Sequence, residues 1–240
     1  MPSRSLPKKT IKQIENLVTL FKSSDNKHRF EAFAKQIYNL LSEHPRLRPH
    51  IHSLKYRVKE PEHLKHKLMR KAKDALLEGK QFNIHEGNLF KKIDDLAGVR
   101  LLHLHTEQMT DINKALLEII DEEQYTLLRG PIANTWDNEY RTFFKGLSMK
   151  ISERDSLYTS VHYVIGSNNK YQTRCELQVR SLMEEVWGEV SHKINYPEQS
   201  NSISCKEQIK VLARVTSGCT RLVDSIFKSH KEYQAYKKQS

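Results

Sequence analysis

The stretch that decides the fold is Cys175-Glu176-Leu177-Gln178-Val179-Arg180, which has the alternation of a β-strand. Successive side chains of a strand point to opposite faces of the sheet, so the apolar half of this stretch would enter a core. The polar half shares the other face: Glu176, Gln178 and Arg180. A carboxylate, an amide and a guanidinium on one face are typical of a binding or catalytic site. A half-exposed strand whose polar residues face water is the simpler alternative.

The length and composition of the chain limit the kinds of protein that it can be. The 240 residues are enough for one large domain or for a core domain with a helical extension. Charged residues make up 29% and hydrophobic residues 38%, which suits a globular protein in water. No apolar run follows residues 1–7, and no window approaches the roughly 18 apolar residues of a membrane span. We therefore expect a cytoplasmic protein without membrane contact, whose three cysteines are reduced thiols.

The net charge of +11 favours anionic partners such as nucleotides, RNA or acidic surfaces. A solvated lysine-rich surface would give the same charge. No stretch interleaves arginines with aromatic residues as RNA-binding modules do, and no Cys/His cluster has the spacing of a zinc site. The charge therefore indicates an anionic partner but does not distinguish between nucleotides, RNA and acidic surfaces.

Hydrophobic periodicity predicts an α+β domain with a mixed sheet of about five strands surrounded by helices. We expect an N-terminal helical pair in residues 1–49, a central domain in residues 50–197, and a C-terminal helical extension in residues 198–240. The predicted strands cover residues 51–59, 99–105, 142–151, 159–165 and 174–180, and residues 130–141 are predicted to be a loop. In the helix predicted at residues 182–194, Val186, Trp187, Val190 and Ile194 are assigned to packing. The C-terminal helix carries an apolar stripe from Ile209 to Ile226.

A basic strand opens the central domain. In Leu54-Lys55-Tyr56-Arg57-Val58-Lys59, alternation places Lys55, Arg57 and Lys59 on one face. The helix that begins at Pro61 follows at once; its N-terminal amides also favour anions, and Lys67 extends the patch. Cations in this arrangement are typical of a polyphosphate site. An exposed basic strand edge is an equally good interpretation of this segment alone.

Two further segments carry polar side chains at the mouths of predicted strands. Asp95, at the entrance to the strand that contains Val99, can hold Mg²⁺ through one or two oxygens. Tyr158 and His162 share a face of the strand at residues 159–165, where a tyrosine can stack on a nucleobase. Solvated aspartates, a sheet-rim tyrosine and a hydrogen-bonded core histidine are the alternatives at these positions.

Four motifs taken in order resemble the synthetase domain of the RelA/SpoT family of alarmone synthetases. They are Tyr56-Arg57-Val58-Lys59-Glu60-Pro61-Glu62, Asp95-Leu96-Ala97-Gly98-Val99-Arg100, Tyr158-Thr159-Ser160-Val161-His162-Tyr163-Val164, and Glu176-Leu177-Gln178-Val179-Arg180-Ser181 followed by Trp187-Gly188-Glu189. The resemblance covers residues 50–197. It implies a nucleotidyltransferase-like fold and a small, stand-alone synthetase with its own flanking helices.

The resemblance also implies an activity. Members of the family transfer the β,γ-pyrophosphate of ATP to the ribose 3′-hydroxyl of GDP or GTP, which makes the stringent-response signal (p)ppGpp. Mg²⁺ would be held by Asp95 and Glu176, and Glu176 would complete the metal site or act as general base. ATP would be bound by Arg57, Lys59 and Lys67. The guanosine acceptor would be bound by Tyr158 and His162, while Gln178 and Arg180 would shape the site around Glu176.

The sequence also departs from the family. Many members have glycine directly before the guanine-stacking tyrosine, where this chain has Leu157, and residues 154–156 replace the polar residues that usually precede that glycine. A branch of the family pyrophosphorylates the 3′ end of tRNA, and the positive charge would suit that acceptor. A non-catalytic RNA- or partner-binding module remains a third reading. Small members of the family often self-associate, so a homo-oligomer is also expected.

Overall fold

A six-stranded mixed sheet organises the computed structural model, which describes residues 5–153, 157–196 and 200–239. The spatial order of the strands is β1-β2-β6-β5-β3-β4. Their bounds are β1 Ser53–Val58, β2 Ala97–His103, β3 Thr126–Thr135, β4 Lys150–Glu153, β5 Ser160–Gly166 and β6 Arg174–Ser181. The α+β class is confirmed, with one strand more than the five that periodicity predicts.

Eight α-helices surround this sheet in the part of the chain that the structure describes. They are α1 Lys8–Lys22, α2 Ser24–Glu43, α3 Pro61–Leu77, α4 Leu89–Lys92, α5 Gln108–Glu122, α6 Asn138–Gly146, α7 Leu182–Asn195 and α8 Ile203–Gln239. The N-terminal helical pair and the long C-terminal helix are therefore confirmed. None of the described helices is both long enough and apolar enough to cross a membrane.

Strand register brings the polar faces of the central strands together. The parallel pairing of β2 with β6 sets Gly98 opposite Glu176 and Arg100 opposite Gln178. Antiparallel β5 sets His162 opposite Gln178 on the other side. Directly opposed residues point to the same face of a sheet, so one face gathers these side chains. The opposite face of β6, which carries Cys175 and Leu177, is fully buried in the core.

The stretch between residues 126 and 153 differs from the prediction. β3 runs through the predicted loop, and Gly130 allows this because its φ is +106° and an added Cβ would overlap the carbonyl oxygen of His162. The predicted strand at residues 142–151 is wrong: α6 occupies its first half, and β4 begins only at Lys150. Asp137 caps α6 by accepting hydrogen bonds from the N–H groups of Glu139 and Tyr140. That cap is the sequence signal that the strand prediction overlooked.

The packing of α7 differs from the prediction. On α7, Trp187 is buried as expected, but Val186, Val190 and Ile194 are exposed. The face of α8 that packs inward includes the small residues Ala213, Thr216, Ser217 and Thr220. Small side chains let neighbouring elements approach closely. Much of the apolar stripe of α8, including Val215, Leu222 and Ile226, is exposed, and its contact with another subunit stays a prediction.

Candidate active site

A cleft of about 800 Å³ opens on the polar face of the sheet. Strands β1, β2, β5 and β6 form its floor, and α3 and α7 contribute its sides. Eight of the nine residues singled out from the sequence line it: Arg57, Lys59, Asp95, Tyr158, His162, Glu176, Gln178 and Arg180. The ninth, Lys67, reaches the cleft through an ion pair with Asp95. The folded chain therefore brings all nine together.

Asp95 is the centre of the basic half of the cleft. It lies in the 3-10 turn that leads into β2, and its two oxygens meet two ammonium groups. Lys59 Nζ lies 2.7 Å from Oδ2 and Lys67 Nζ lies 2.8 Å from Oδ1. Burial by itself raises the pKa of Asp95, but the charges and hydrogen bonds of the two lysines outweigh it and hold the pKa well below its usual range. Asp95 is therefore ionised at neutral pH.

Glu176 is the centre of the other half. Gln178 Nε2 donates a hydrogen bond of 2.8 Å to its Oε2, and His162 Nδ1 lies 3.4 Å from its Oε1. Burial and the negative charge of Asp95 raise the pKa of Glu176. The hydrogen bonds and the charge of His162 outweigh them, so the net pKa is below its ordinary value. Glu176 is thus a buried carboxylate that is ionised at neutral pH.

His162 links Glu176 to Tyr158. Its Nε2 lies 3.0 Å from the Tyr158 hydroxyl, while its Nδ1 faces Glu176. A proton on Nδ1 is donated to Glu176, and Nε2 forms the hydrogen bond with the Tyr158 hydroxyl. Both ring nitrogens therefore contact protein groups, so a contact between His162 and acceptor phosphates would require one of them to be released.

Arg180 supports Tyr158 from beneath. Its guanidinium carbon lies 5.9 Å from the centre of the Tyr158 ring, and its Nε lies 3.0 Å from Glu185 Oε2. The guanidinium packs so closely on Gly188 that a Cβ there would overlap Arg180 Nη1. The Trp187 ring lies 6.2 Å from that of Tyr158. These contacts hold one face of Tyr158 against the protein.

Arg100 is a cleft residue to which the sequence analysis gave no role. Its Nη1 lies 2.7 Å from Glu185 Oε1 and 2.7 Å from Glu189 Oε1. It projects from β2 beside Gln178. Side-chain alternation in β2 could have identified Arg100 from the sequence. An arginine that alternates with apolar residues of a central strand must face a polar site.

An aromatic rim, formed by His63, His192 and Tyr196, borders the basic half of the cleft. His192 stacks on Tyr196 with ring centres 4.6 Å apart and 12° between planes. His63 meets Tyr196 edge-on at 4.6 Å. Burial lowers the pKa of both histidines, which favours neutral rings. Sequence spacing could not find this rim because α3 and the end of α7 meet only in the folded chain.

Leu157 has a left-handed backbone conformation, with φ of +55°. This region favours glycine, and a leucine there is strained by roughly 1–2 kcal/mol. The position is the one where many RelA/SpoT members have glycine, so the backbone keeps a glycine-type conformation although the residue has changed. The substituted residues 154–156 lie outside the described part of the chain.

The family described as a region found in RelA / SpoT proteins matches residues 56–201, which include every motif quoted above. The chain belongs to this family. The resemblance seen in the sequence is therefore confirmed. The curated proteins include no significant match to the sequence.

Several solved structures share the fold of this chain. The small alarmone synthetase 1 from Bacillus subtilis is 16% identical with a TM-score of 0.57, over 91% of this chain and 97% of that one. A GTP pyrophosphokinase family protein from Streptococcus pneumoniae is 18% identical with a TM-score of 0.55, over 95% and 96%. The Bacillus enzyme bound to its product pppGpp is 17% identical with a TM-score of 0.51, over 93% and 99%. These likenesses establish the small alarmone synthetase fold.

Proposed function

We propose that this RelA/SpoT-family protein is a pyrophosphokinase that transfers the β,γ-pyrophosphate of ATP to the ribose 3′-hydroxyl of GDP or GTP. The observation that carries the proposal is a pair of buried, ionised carboxylates, Asp95 and Glu176, in one cleft with a cluster of cations. Structures of the Bacillus subtilis protein bound to pppGpp and to AMPCPP support nucleotides as the substrate class.

The cationic side chains of the cleft are suited to binding the phosphates of ATP, the pyrophosphate donor. Pyrophosphoryl transfer needs positioning and neutralisation of charge more than a covalent nucleophile. Lys59 and Lys67 converge on Asp95, and Arg57 lines the same half of the cleft. On binding ATP these side chains would turn to the phosphate oxygens and offset the charge that develops at the β-phosphorus.

The two carboxylates fit a magnesium ion. They line one cleft, and the charge of Asp95 is close enough to raise the pKa of Glu176. The described residues contain no group of three or more His, Cys, Asp or Glu side chains placed to hold a metal. Mg²⁺ commonly binds one or two carboxylates and takes its remaining ligands from phosphates and water. Asp95 and Glu176 would hold it, and it would neutralise charge on the polyphosphate.

The acceptor would bind beside Tyr158, whose ring can stack on guanine. In the reaction, the 3′-oxygen forms a bond to the β-phosphorus while the bond from that phosphorus to the α-phosphate oxygen breaks, and AMP leaves. Glu176 accepts the proton of the 3′-hydroxyl. His162 and Gln178 hold the carboxylate in position through their contacts with its two oxygens.

A tRNA acceptor is the second candidate. Two observations favour it: the net charge of +11, and the leucine at a glycine-type position next to Tyr158. Contacts with tRNA are mostly electrostatic contacts with phosphates, which a basic surface provides. In this case the 3′-terminal ribose of tRNA would take the place of the guanosine nucleotide.

A thin-layer assay tests both candidates. The protein is incubated with γ-labelled ATP and Mg²⁺, and GDP, GTP and bulk tRNA are offered in separate tubes. We expect label on the guanosine nucleotides, with a rate at least about 10²-fold lower for Glu176→Gln, since a general base contributes roughly 10²–10⁴-fold. Label on tRNA alone would establish the second candidate. No labelled product from any acceptor would contradict both and favour a non-catalytic module.

A further inference from the structure

A small cavity lies behind the floor of the cleft, and Glu184 lines it. Glu184 belongs to the first turn of α7 and is 3% exposed. Its Oε1 has no hydrogen-bond partner among the described residues, and Thr159 and Arg180 line the same cavity. A buried carboxyl group with an unsatisfied oxygen is costly and needs an explanation. The proposed chemistry does not use it.

The charged groups around this cavity are already paired with one another. Arg180 of β6 pairs with Glu185 of α7, and Arg221 of α8 pairs with Asp137 at the start of α6. Among the described residues, His103, Tyr140 and Arg180 line the cavity with Glu184, and the neighbouring segments also carry His105, Asp137, Glu185, Arg221 and Asp224. The two arginines pair with Glu185 and Asp137 rather than with Glu184.

Glu184 lies beside both supports of the acceptor pocket. Thr159, which lines the same cavity, directly follows Tyr158. Arg180, which also lines the cavity, lies under the Tyr158 ring. The backbone N–H of Glu184 donates to the Ser181 hydroxyl, which fixes the backbone at the start of α7. A change of charge on Glu184 must therefore act on the segment that carries Tyr158.

We propose that Glu184 is a positioning residue for the acceptor pocket, and that its protonation sets how Thr159 and Arg180 hold Tyr158. This inference rests on the proposed function of the cleft. Protonated Glu184 is neutral and leaves Arg180 to Glu185 and Tyr158. Ionised Glu184 competes with Glu185 for the guanidinium and withdraws it from the Tyr158 ring. Acceptor binding then weakens, while the donor half of the cleft is unchanged.

The pH range of this change follows from the surroundings. Burial raises the pKa of Glu184 to about 8, with Arg180 and the Thr159 N–H acting in the opposite direction. Burial lowers the pKa of His103 to about 4 and raises that of Tyr140 to about 12, so neither of these neighbours titrates near pH 8. We therefore expect the KM for the guanosine acceptor to rise by about tenfold between pH 7 and pH 9. A tenfold change in binding corresponds to a shift of one unit in the pKa of Glu184 when the acceptor binds.

Steady-state kinetics between pH 6 and pH 9.5 test the proposal with wild type, Glu184→Gln and the surface control Glu207→Gln. Glu207 pairs only with Lys210 among its described contacts and is 61% exposed. Wild type and the control should show the rise in acceptor KM, and Glu184→Gln should keep the low-pH value throughout. The pH dependence of the ATP KM should be the same in all three. Ionisation of the nucleotide is shared by the three proteins and cancels in the comparison.

A second readout needs no nucleotide and no activity. Trp187 lies 6.2 Å from the Tyr158 ring, so its fluorescence in a Trp136→Phe background reports on that ring. We expect an inflection near pH 8 that Glu184→Gln removes; Glu184→Met serves as the second neutral variant should Glu184→Gln fail to fold. Absence of product in every protein would contradict the proposed function and leave this titration as the test of Glu184. Identical fluorescence and acceptor-KM profiles in wild type and a folded neutral variant would overturn the inference.

Discussion

A substitution at Lys67 tests the donor half of the cleft separately from the acceptor half. Its ammonium lies 2.8 Å from Asp95, with a quarter of the side chain exposed. Replacing it with methionine removes one of the two cations on Asp95 and one candidate ligand of the ATP phosphates. Charge-assisted hydrogen bonds contribute roughly 1.5–3 kcal/mol, so we expect the ATP KM of Lys67→Met to rise at least about tenfold. The acceptor KM should change little.

Lys71→Met is the matched control, since Lys71 lies one turn further along α3 and is exposed. Both variants lose one positive charge from the same helix. Initial rates at varied ATP and fixed acceptor, and then the reverse, separate the two KM values. Equal ATP KM values for the two variants would show that general surface charge, rather than the contact with Asp95, draws ATP to the cleft.

The sequence predicts individual site residues well where strand alternation determines their direction. Glu176, Gln178 and Arg57 lie on strands whose alternate residues must face the same way, so their place in the cleft follows from the pattern. His63 and Tyr196 come from a helix and from a segment after a helix, and their contact depends on tertiary packing. The two nitrogens of His162 are engaged by Tyr158 and Glu176, which no pattern of residue types specifies.

Among the secondary-structure elements, α5 ends in a way that offers a test. The helix ends at Glu122, and Gln124 then takes φ of +55° while its N–H donates to the carbonyl of Asp121. Glycine is the favoured residue for this conformation after a helix. Because Gln124 is exposed and its side chain has no contact to lose among those described, Gln124→Gly should stabilise the protein by about 0.5–1 kcal/mol.

Thermal melting and urea denaturation measure this effect, which corresponds to an increase in Tm of about 2 °C for a chain of this length. Lys114→Gly, at an exposed position inside α5, is the opposite control and should destabilise by about 1 kcal/mol. A loss of stability in both variants would mean that the left-handed conformation at Gln124 is not the controlling feature.

The sequence missed α6 because its residues give two competing signals. In α6, Tyr140 and Phe144 are buried one turn apart, as in any amphipathic helix, but the aromatic and β-branched composition of residues 142–151 also favours a strand. The Asp137 cap decides between the two. In α8 the apolar stripe predicted the helix correctly, whereas the burial of small residues such as Ser217 and Thr220 depends on tertiary packing.

At the scale of the whole molecule, α8 is attached to the central part of the chain by specific contacts. The indole N–H of Trp187 donates to the carbonyl of Ile209 at 3.1 Å, Asp224 Oδ1 accepts from the N–H of Thr106 at 2.6 Å, and His105 stacks on Phe227 with ring centres 4.2 Å apart. These contacts fix one side of α8, while Val215, Leu222 and Ile226 on the helix remain exposed. The division at residues 49 and 197 and the self-association of the chain stay predictions.

Glu184 also gives a prediction about the stability of the whole molecule. Its pKa is about 8 in the folded chain, and its ordinary value is 4.5. Between these values the folded state binds one proton more than the unfolded state, so the contribution of Glu184 to the free energy of unfolding falls as pH rises from 4.5 to 8. At about 1.4 kcal/mol per pH unit, the loss is at most a few kcal/mol. Asp95 and Glu176 have lowered pKa values and act in the opposite sense, losing stability in acid.

Urea denaturation at pH 5, 7 and 9 isolates the contribution of Glu184 by comparison with Glu184→Gln, in which that group cannot ionise while all others remain. The free energy of unfolding of Glu184→Gln relative to wild type should increase by at least about 2 kcal/mol from pH 5 to pH 9, since only wild type must then bury a charge or release it to water. The surface variant Glu207→Gln should run parallel to wild type. A constant difference between Glu184→Gln and wild type across this range would mean that the Glu184 carboxyl is ionised at every pH tested and has a counter-ion that its contacts do not reveal.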